Sequence, residues 1–235
     1  MIDRKILVTG SSSGIGRALT EVLIDSGATV IGLARDHSKF KFTHPNYLPY
    51  TVDLSIIKDL PKILKRILLE NKNINGLVSN AGSGQFGGIE NFSVKQIESF
   101  IRVNLVSHMV CTKMLLPHLK KAKTGNIIFL GSEAALTGTK KGSLYCAAKF
   151  GLRGFAQTVR AEASERNVCV SIVNPGMVRT PFFNKLGFKP GDGDENAIDP
   201  RDVAKVVYDI LTMRAGTVID EINLSPLKKV IHFGN

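Results

Sequence analysis

Tyr145 and Lys149 lie four positions apart at the start of a segment with strong helical patterning, so they share one helix face. An ammonium beside a phenol favours the phenolate and lowers the tyrosine pKa, which makes a tyrosine usable as proton donor or acceptor near neutral pH. Taken alone, the pair also reads as an ordinary surface couple. Ser132 gives it a context, because it closes the preceding apolar run where its hydroxyl can hold a carbonyl oxygen beside the tyrosine. Asn80-Ala81-Gly82 follows another short apolar run. Asn104, between Val103 and Leu105, is either a satisfied core amide or a member of a polar relay.

A second group of residues suits a phosphate. Thr9-Gly10-Ser11-Ser12-Ser13-Gly14-Ile15-Gly16 joins a β-branched run to a helical pattern. Its three glycines permit a tight turn, close backbone approach and close helix–strand packing, and the helix start offers free N–H groups to a pyrophosphate. Many strand–helix turns carry glycine for backbone reasons alone, so position again decides. The next strand ends Ala34-Arg35, with alanine where an NAD site would place a carboxylate and a guanidinium directly after it. A guanidinium grips a phosphate bidentately, which makes NADP(H) the preferred cofactor; Asp36 keeps NAD(H) open.

The elements that must position these groups alternate regularly. Strands are expected at Lys5–Thr9, Thr29–Leu33, Tyr50–Asp53, Gly76–Ser79, Asn126–Leu130, Cys169–Val173 and Thr217–Leu224. Helices are expected from Ile15 to about Ser26, over Leu60–Leu68, from about Val94 to Leu119 with Pro117 ending or bending it, and over Tyr145–Arg166. A final helix opens on the Asp199-Pro200 cap and runs to about Arg214. Nearly continuous apolar strands between helices imply a parallel sheet covered on both faces. The long irregular piece from about Met177 to Ile198 reads as a flap.

The chain has 235 residues, 43% hydrophobic and 22% charged, which suits one α/β domain spanning 1–235 and excludes disorder. No apolar run reaches the roughly 18–20 residues of a membrane span, and the N-terminus lacks a signal-peptide pattern. Three cysteines at positions 111, 146 and 169 form no CxxC pair, which points to a cytoplasmic protein. The five histidines lack metal-ligand spacing, so no metal is expected. The net charge of +11 is spread along the chain without a recognition motif, which argues against nucleic acid as the partner.

With the motifs in this order, the chain resembles the short-chain dehydrogenase/reductase family, in its NADP-preferring branch. The resemblance rests on Thr9–Gly16, Asp53-Leu54, Asn80-Ala81-Gly82, Asn104, Ser132, Tyr145-x-x-x-Lys149 and Asn174-Pro175-Gly176 with Thr180. It implies a Rossmann-type doubly wound sheet of about seven parallel strands with helices on both faces. It also implies hydride transfer between a nicotinamide cofactor and a carbonyl/alcohol pair. Tyr145 would then be the general acid or base, Lys149 its activator and a ribose contact, Ser132 the holder of the substrate oxygen, and Asn104 part of a water-linked relay. Cofactor contacts would come from Gly10, Ser12, Ser13, Gly14, Ile15, Gly16, Arg35, Asp53, Leu54, Asn80, Ala81 and Gly82. Pro175, Gly176, Val178 and Thr180 would cradle the nicotinamide side. Ser13 stands where many NADP-using members carry a basic residue.

Substrate choice is expected in the flap, where Met177, Phe182 and Phe183 join Ser132 and Tyr145, and in the loop 137–143 with Lys140 and Lys141. The substrate would be a small-molecule carbonyl or alcohol. Reductases of 3-oxoacyl groups on acyl carrier protein are similar, and Lys123 and Arg166 fall where those enzymes dock their acidic partner. The ending Ile219–Pro226 and Leu227–His232 departs from them and looks more like members acting on small free metabolites. A homodimer or homotetramer is implied. A non-catalytic NADP-sensing protein is the contrasting reading, although both Tyr145 and Lys149 are kept.

Overall fold

A computed structural model of the chain describes residues 1–38, 40, 43–214 and 216–234. Strands β1 (Lys5–Thr9), β2 (Thr29–Ala34), β3 (Tyr47–Thr51), β4 (Gly76–Ser79), β5 (Gly125–Leu130), β6 (Val168–Pro175) and β8 (Glu221–Leu224) form one parallel sheet in the order β3-β2-β1-β4-β5-β6-β8. Helices α1 (Gly14–Asp25) and α6 (Pro200–Thr212) cover one face; α2 (Leu60–Glu70), α4 (Ser107–Ala122) and α5 (Ser143–Ser164) cover the other. Neighbouring strand residues point to opposite faces. Leu7, Ile31, Leu77, Ile127 and Phe129 therefore pack on Leu64, Leu115 and Leu152, while Ile6, Val8, Val30, Val78 and Ile128 pack on Leu19, Leu23 and Val207. Both cores are apolar, which is why these strands read as unbroken apolar runs.

The expected doubly wound sheet of seven parallel strands is present, with local corrections. The third strand covers Tyr47–Thr51 rather than Tyr50–Asp53. Pro49 is tolerated because β3 is an edge strand, where a missing N–H leaves no ladder partner unpaired. The long central helix is divided into α3 (Val94–Ile101), a π-helical turn over Arg102–Val106, and α4. Pro117 does not end it, since α4 continues five residues further to Ala122. The last sheet strand is shorter than expected, Glu221–Leu224.

The piece 177–198 is more ordered than an irregular flap. It contains 3₁₀ turns at Pro181–Lys185 and Asp194–Asn196, and a strand β7 (Phe188–Pro190). The sequence gives no warning of β9 (Ile231–Phe233), which pairs antiparallel with β7 and straps the chain's last described residues across this piece.

Candidate active site

The strand order reverses between β1 and β4, and the crevice at such a reversal is where open α/β sheets bind ligands. Gly10 leaves the end of β1 and Asn80 the end of β4. Thr9 Oγ1 accepts from the backbone N–H groups of Asn80 and Ala81, each at 2.9 Å, and Asn80 Nδ2 donates to the Thr9 carbonyl at 2.9 Å. The two loops are thus one rigid unit. Gly10 and Gly14 have φ of +69° and +52°, conformations that side chains oppose. Ser13 precedes α1 without capping it through its side chain, which leaves the helix amides facing the crevice loop. Ser12 and Ile15 are half-buried and Ser13 is exposed. Ser11 instead turns inward to Tyr47 Oη at 3.0 Å, and His37 Nδ1 lies 2.9 Å from that same oxygen.

At the end of β2, Arg35 is exposed beyond buried Ala34. Asp36 accepts from Ser38 N at 2.7 Å, so part of its carboxylate is engaged locally. Asp53 accepts from Ser55 N and Oγ, and these bonds, then the Arg35 charge, hold its carboxyl below the usual range. Leu54 is buried among core side chains rather than presented to the surface.

Four predicted residues converge at the reacting end. The Tyr145 hydroxyl lies beside the Ser132 side chain, close enough for the serine to draw its pKa down. Asn174 Oδ1 accepts from Ser132 N at 3.3 Å, and Asn174 Nδ2 donates to Glu221 and Asn223, which fixes the serine loop from β6 and β8. Lys149 Nζ donates to the Leu130 carbonyl at 2.8 Å and lies 5.8 Å from the Tyr145 ring centre. A β-carbon on Gly82 would stand 3.0 Å from Asn104 Oδ1 and 4.0 Å from Lys149 Nζ, so these three meet. Asn104, wholly buried in the π turn, accepts from Ser83 N at 3.0 Å and donates to Phe100 O at 3.0 Å. The amide is satisfied by protein partners, as one of the two sequence readings allowed.

The electrostatics correct one expectation. Lys149 does not lower the Tyr145 pKa here; burial of the hydroxyl end pushes it up to about 12, against the pull of Ser132. Only part of the ring stays accessible. Burial also pushes Lys149 down to about 8. Desolvation governs the shift of each group, and sequence spacing does not show burial. Beneath them lies His108, which sequence reasoning passed over as a lone histidine. Its Nδ1 lies 2.7 Å from Ser79 Oγ, its Nε2 has no hydrogen-bond partner among the described residues, and burial first, then Lys149, push it down to about 3.

The third part of the site comes from the chain after β6. Pro175 is buried at the strand end, and Gly176 N donates to Leu224 O at 2.7 Å. Val178 bridges to Ile198, and Ile198 N donates to Met177 O at 2.8 Å, which closes the base of the 177–198 piece. Thr180 stands against Gly14, where a β-carbon would meet its Cβ at 3.2 Å. Phe182 packs 5.9 Å from the Tyr145 ring centre and 5.1 Å from Phe183. Lys140 and Lys141 are exposed. Lys123 and Arg166 precede β5 and β6, at the sheet end away from Tyr145, so within one chain they do not border the crevice. Cys146 is buried, with its Sγ facing Thr139 Oγ1 at 3.6 Å and the Thr137 carbonyl at 4.0 Å, consistent with packing. Among the described residues, no group of three or more His, Cys, Asp and Glu side chains is arranged to hold a metal ion.

Comparison with known proteins gives a consistent picture. The model of the short chain dehydrogenase family matches residues 4–190. Sepiapterin reductase of Chlorobaculum tepidum is 29% identical over 94% of this chain and 95% of its own. A 3-oxoacyl-acyl-carrier-protein reductase of Vibrio harveyi is 29% identical over 92% of each chain. A metagenomic short-chain oxidoreductase solved in complex with NADP is 29% identical, covers 96% of this chain and 98% of that one, and superposes with a TM-score of 0.83.

Proposed function

The chain belongs to the short chain dehydrogenase family, and from that premise we propose that it is an NADP(H)-dependent oxidoreductase interconverting a carbonyl and a secondary alcohol. The observation that carries the reading is the juxtaposition of the Tyr145 hydroxyl and the Ser132 side chain, with Lys149 one helical turn along from the tyrosine. The NADP-bound relative supports the cofactor.

The glycine turn fits a dinucleotide on its own geometry. A β-carbon on Gly16 would fall on the Gly10 carbonyl, and Gly10 and Gly14 need positive φ, so the turn keeps backbone bare where a pyrophosphate would lie. Gly10, Ser12, Ser13, Gly14, Ile15 and Gly16 would hold the phosphates, with Arg35 on the 2′-phosphate. Asp53 and the backbone at Leu54 would flank the adenine, and Asn80, Ala81 and Gly82 the cleft wall. Pro175, Gly176, Val178 and Thr180 would face the nicotinamide. The cofactor, when bound, supplies or accepts the hydride.

The chain's own residues handle the oxygen and its proton. Ser132 Oγ holds the substrate oxygen, and Tyr145 Oη delivers a proton to it in reduction or removes one in oxidation. A phenol held near 12 keeps its proton at neutral pH, which suits the reductive direction. Lys149, still mostly cationic at neutral pH, would hold a ribose hydroxyl and return the proton, with Asn104 fixing the loop beside it. Met177, Phe182 and Phe183 would bound the substrate. We place the enzyme in the cytoplasm as a homodimer or homotetramer, a setting that its three free cysteines fit.

The test is NADPH absorbance with a panel of ketones, 3-oxoacyl thioesters, hydroxy acids and quinones. The reading predicts turnover with at least one carbonyl class and slower turnover with NADH. Tight NADPH binding with no turnover across the panel would point to a sensor instead. Activity confined to thioesters on acyl carrier protein would name the substrate.

A further inference from the structure

Resting on the oxidoreductase reading above, we propose that the substrate cleft is walled by phenylalanine rings from three separate segments and takes carbonyl compounds that carry a planar, uncharged ring next to the carbonyl. Phe86 comes from the loop after β4, Phe182 and Phe188 from the piece 177–198, and Phe233 from β9. The Phe86 and Tyr145 ring centres are 5.2 Å apart at a 40° tilt, and Phe188 meets Phe86 edge-on at 5.0 Å and 85°. Phe182 reaches Tyr145 at 5.9 Å, and Phe233 extends the row from Phe188 at 6.4 Å.

These rings differ from core filling. Phe100 also approaches Tyr145, at 6.4 Å, but it is 4% exposed and belongs to a buried cluster. Phe86, Phe182 and Phe188 are half-buried and Phe233 is 80% exposed, so part of each ring is open to solvent. None of the four brings a charge, and aromatic faces reward another ring in edge-on or offset geometry beyond simple apolar burial.

The row is held in place from both sides. A β-carbon on Gly84 would stand 2.5 Å from Phe182 Cζ and 3.1 Å from Leu186 Cδ1, so the loop after β4 is bare where the piece 177–198 seats. Gly87 N donates to Lys141 O at 2.7 Å, which ties the Phe86 loop to the loop 137–143. On the far side, Phe188 and Phe233 are partners across β7 and β9. Gly191 N donates to Val230 O at 2.9 Å, and Lys228 N to Glu195 O at 2.9 Å. Lys229 Nζ then reaches Glu133 Oε2 at 2.6 Å, on the residue next to Ser132. This strap lies beyond residues 4–190, so the family match does not describe it.

A rival account has the rings only sealing the flap to the core, in which case saturated and aromatic substrates would be treated alike. Phenyl methyl ketone and cyclohexyl methyl ketone share a carbon skeleton and differ in the ring and its conjugation with the carbonyl, so binding separates the accounts. Binding of each to the protein–NADP⁺ complex is measured by calorimetry, and reduction of each is followed with NADPH. The wild type should favour the phenyl ketone about tenfold in Kd, as two or three ring contacts allow. Phe86→Leu, which keeps apolar volume, should cut that preference below about threefold with NADPH affinity unchanged. Phe233→Leu, at an exposed position, should cut it in the same direction. Equal binding of the two ketones by the wild type, or equal losses for both in the variants, overturns the proposal. Equal binding of the two ketones with turnover of either leaves the oxidoreductase reading standing and removes this one. A ring preference in binding with no turnover does the reverse.

Discussion

The side-chain amide of Asn80 occupies the space that a β-carbon at Gly16 would need, with only 2.6 Å between Nδ2 and the built atom. Asn80 cannot retreat easily, because its N–H, its amide and the neighbouring Ala81 N–H are all bonded to Thr9. The glycine turn and the Asn80–Gly82 loop are therefore fitted to each other at the place where the strand order reverses.

Gly16→Ala should overpack this junction, at a cost of about 1–3 kcal/mol, or about 3–10 °C in Tm for a chain of this size. NADPH affinity should fall at least about tenfold as the turn is pushed out of shape. Thermal unfolding and fluorescence titration check both; an alanine variant that matches the parent in each would show the fit to be incidental.

Arg35→Ala should weaken NADPH by about 10–100-fold, the worth of a charge-assisted bidentate contact, and leave NADH within about twofold. The side chain is exposed and neighbouring Asp36 is bonded to Ser38, so little else should change. Equal losses for both cofactors, measured by equilibrium titration, would remove the phosphate contact from the account.

His108 predicts a pH dependence of stability. Its folded pKa, about 3, lies below the ordinary histidine value of 6.5, so the unfolded chain binds a proton that the folded one refuses. Stability is then fully present above pH 6.5 and is lost as pH falls toward 3, by about 2–3 kcal/mol at pH 4.5. Urea unfolding of His108→Gln should show a shallower loss over that range. A slope equal to the parent's would mean that other groups govern acid unfolding.

Much of the molecule could be read from its residues because its signals are local. Leu7, Ile31 and Phe129 sit in strands buried on both faces, and such strands appear as apolar runs. The glycine turn, Ser132, Tyr145 and Lys149 are tied to strand ends and one helix face by short spacings. What escaped depends on distant partners. Ile231-His232-Phe233 is too short to signal a strand by itself, and only pairing with Phe188–Pro190 makes it one. Pro49 masks a strand whose edge position is a property of the whole sheet. The high Tyr145 pKa arises from enclosure by segments far apart in sequence, among them Phe86 and Phe182, which no spacing rule connects. His108 gave no signal beyond its type, and its unpaired nitrogen exists only in the folded core.

The central claim is that Tyr145 moves the proton for the reaction at this site. Single-turnover reduction of a reactive ketone by Tyr145→Phe, with NADPH affinity measured on the same sample, tests it most directly. The phenyl ring preserves the packing against Phe86 and Phe182, so NADPH should bind within about twofold of the parent while the rate falls about 10²–10⁴-fold, the usual worth of a positioned acid. A rate within a few-fold of the parent, with the cofactor bound, would contradict the account.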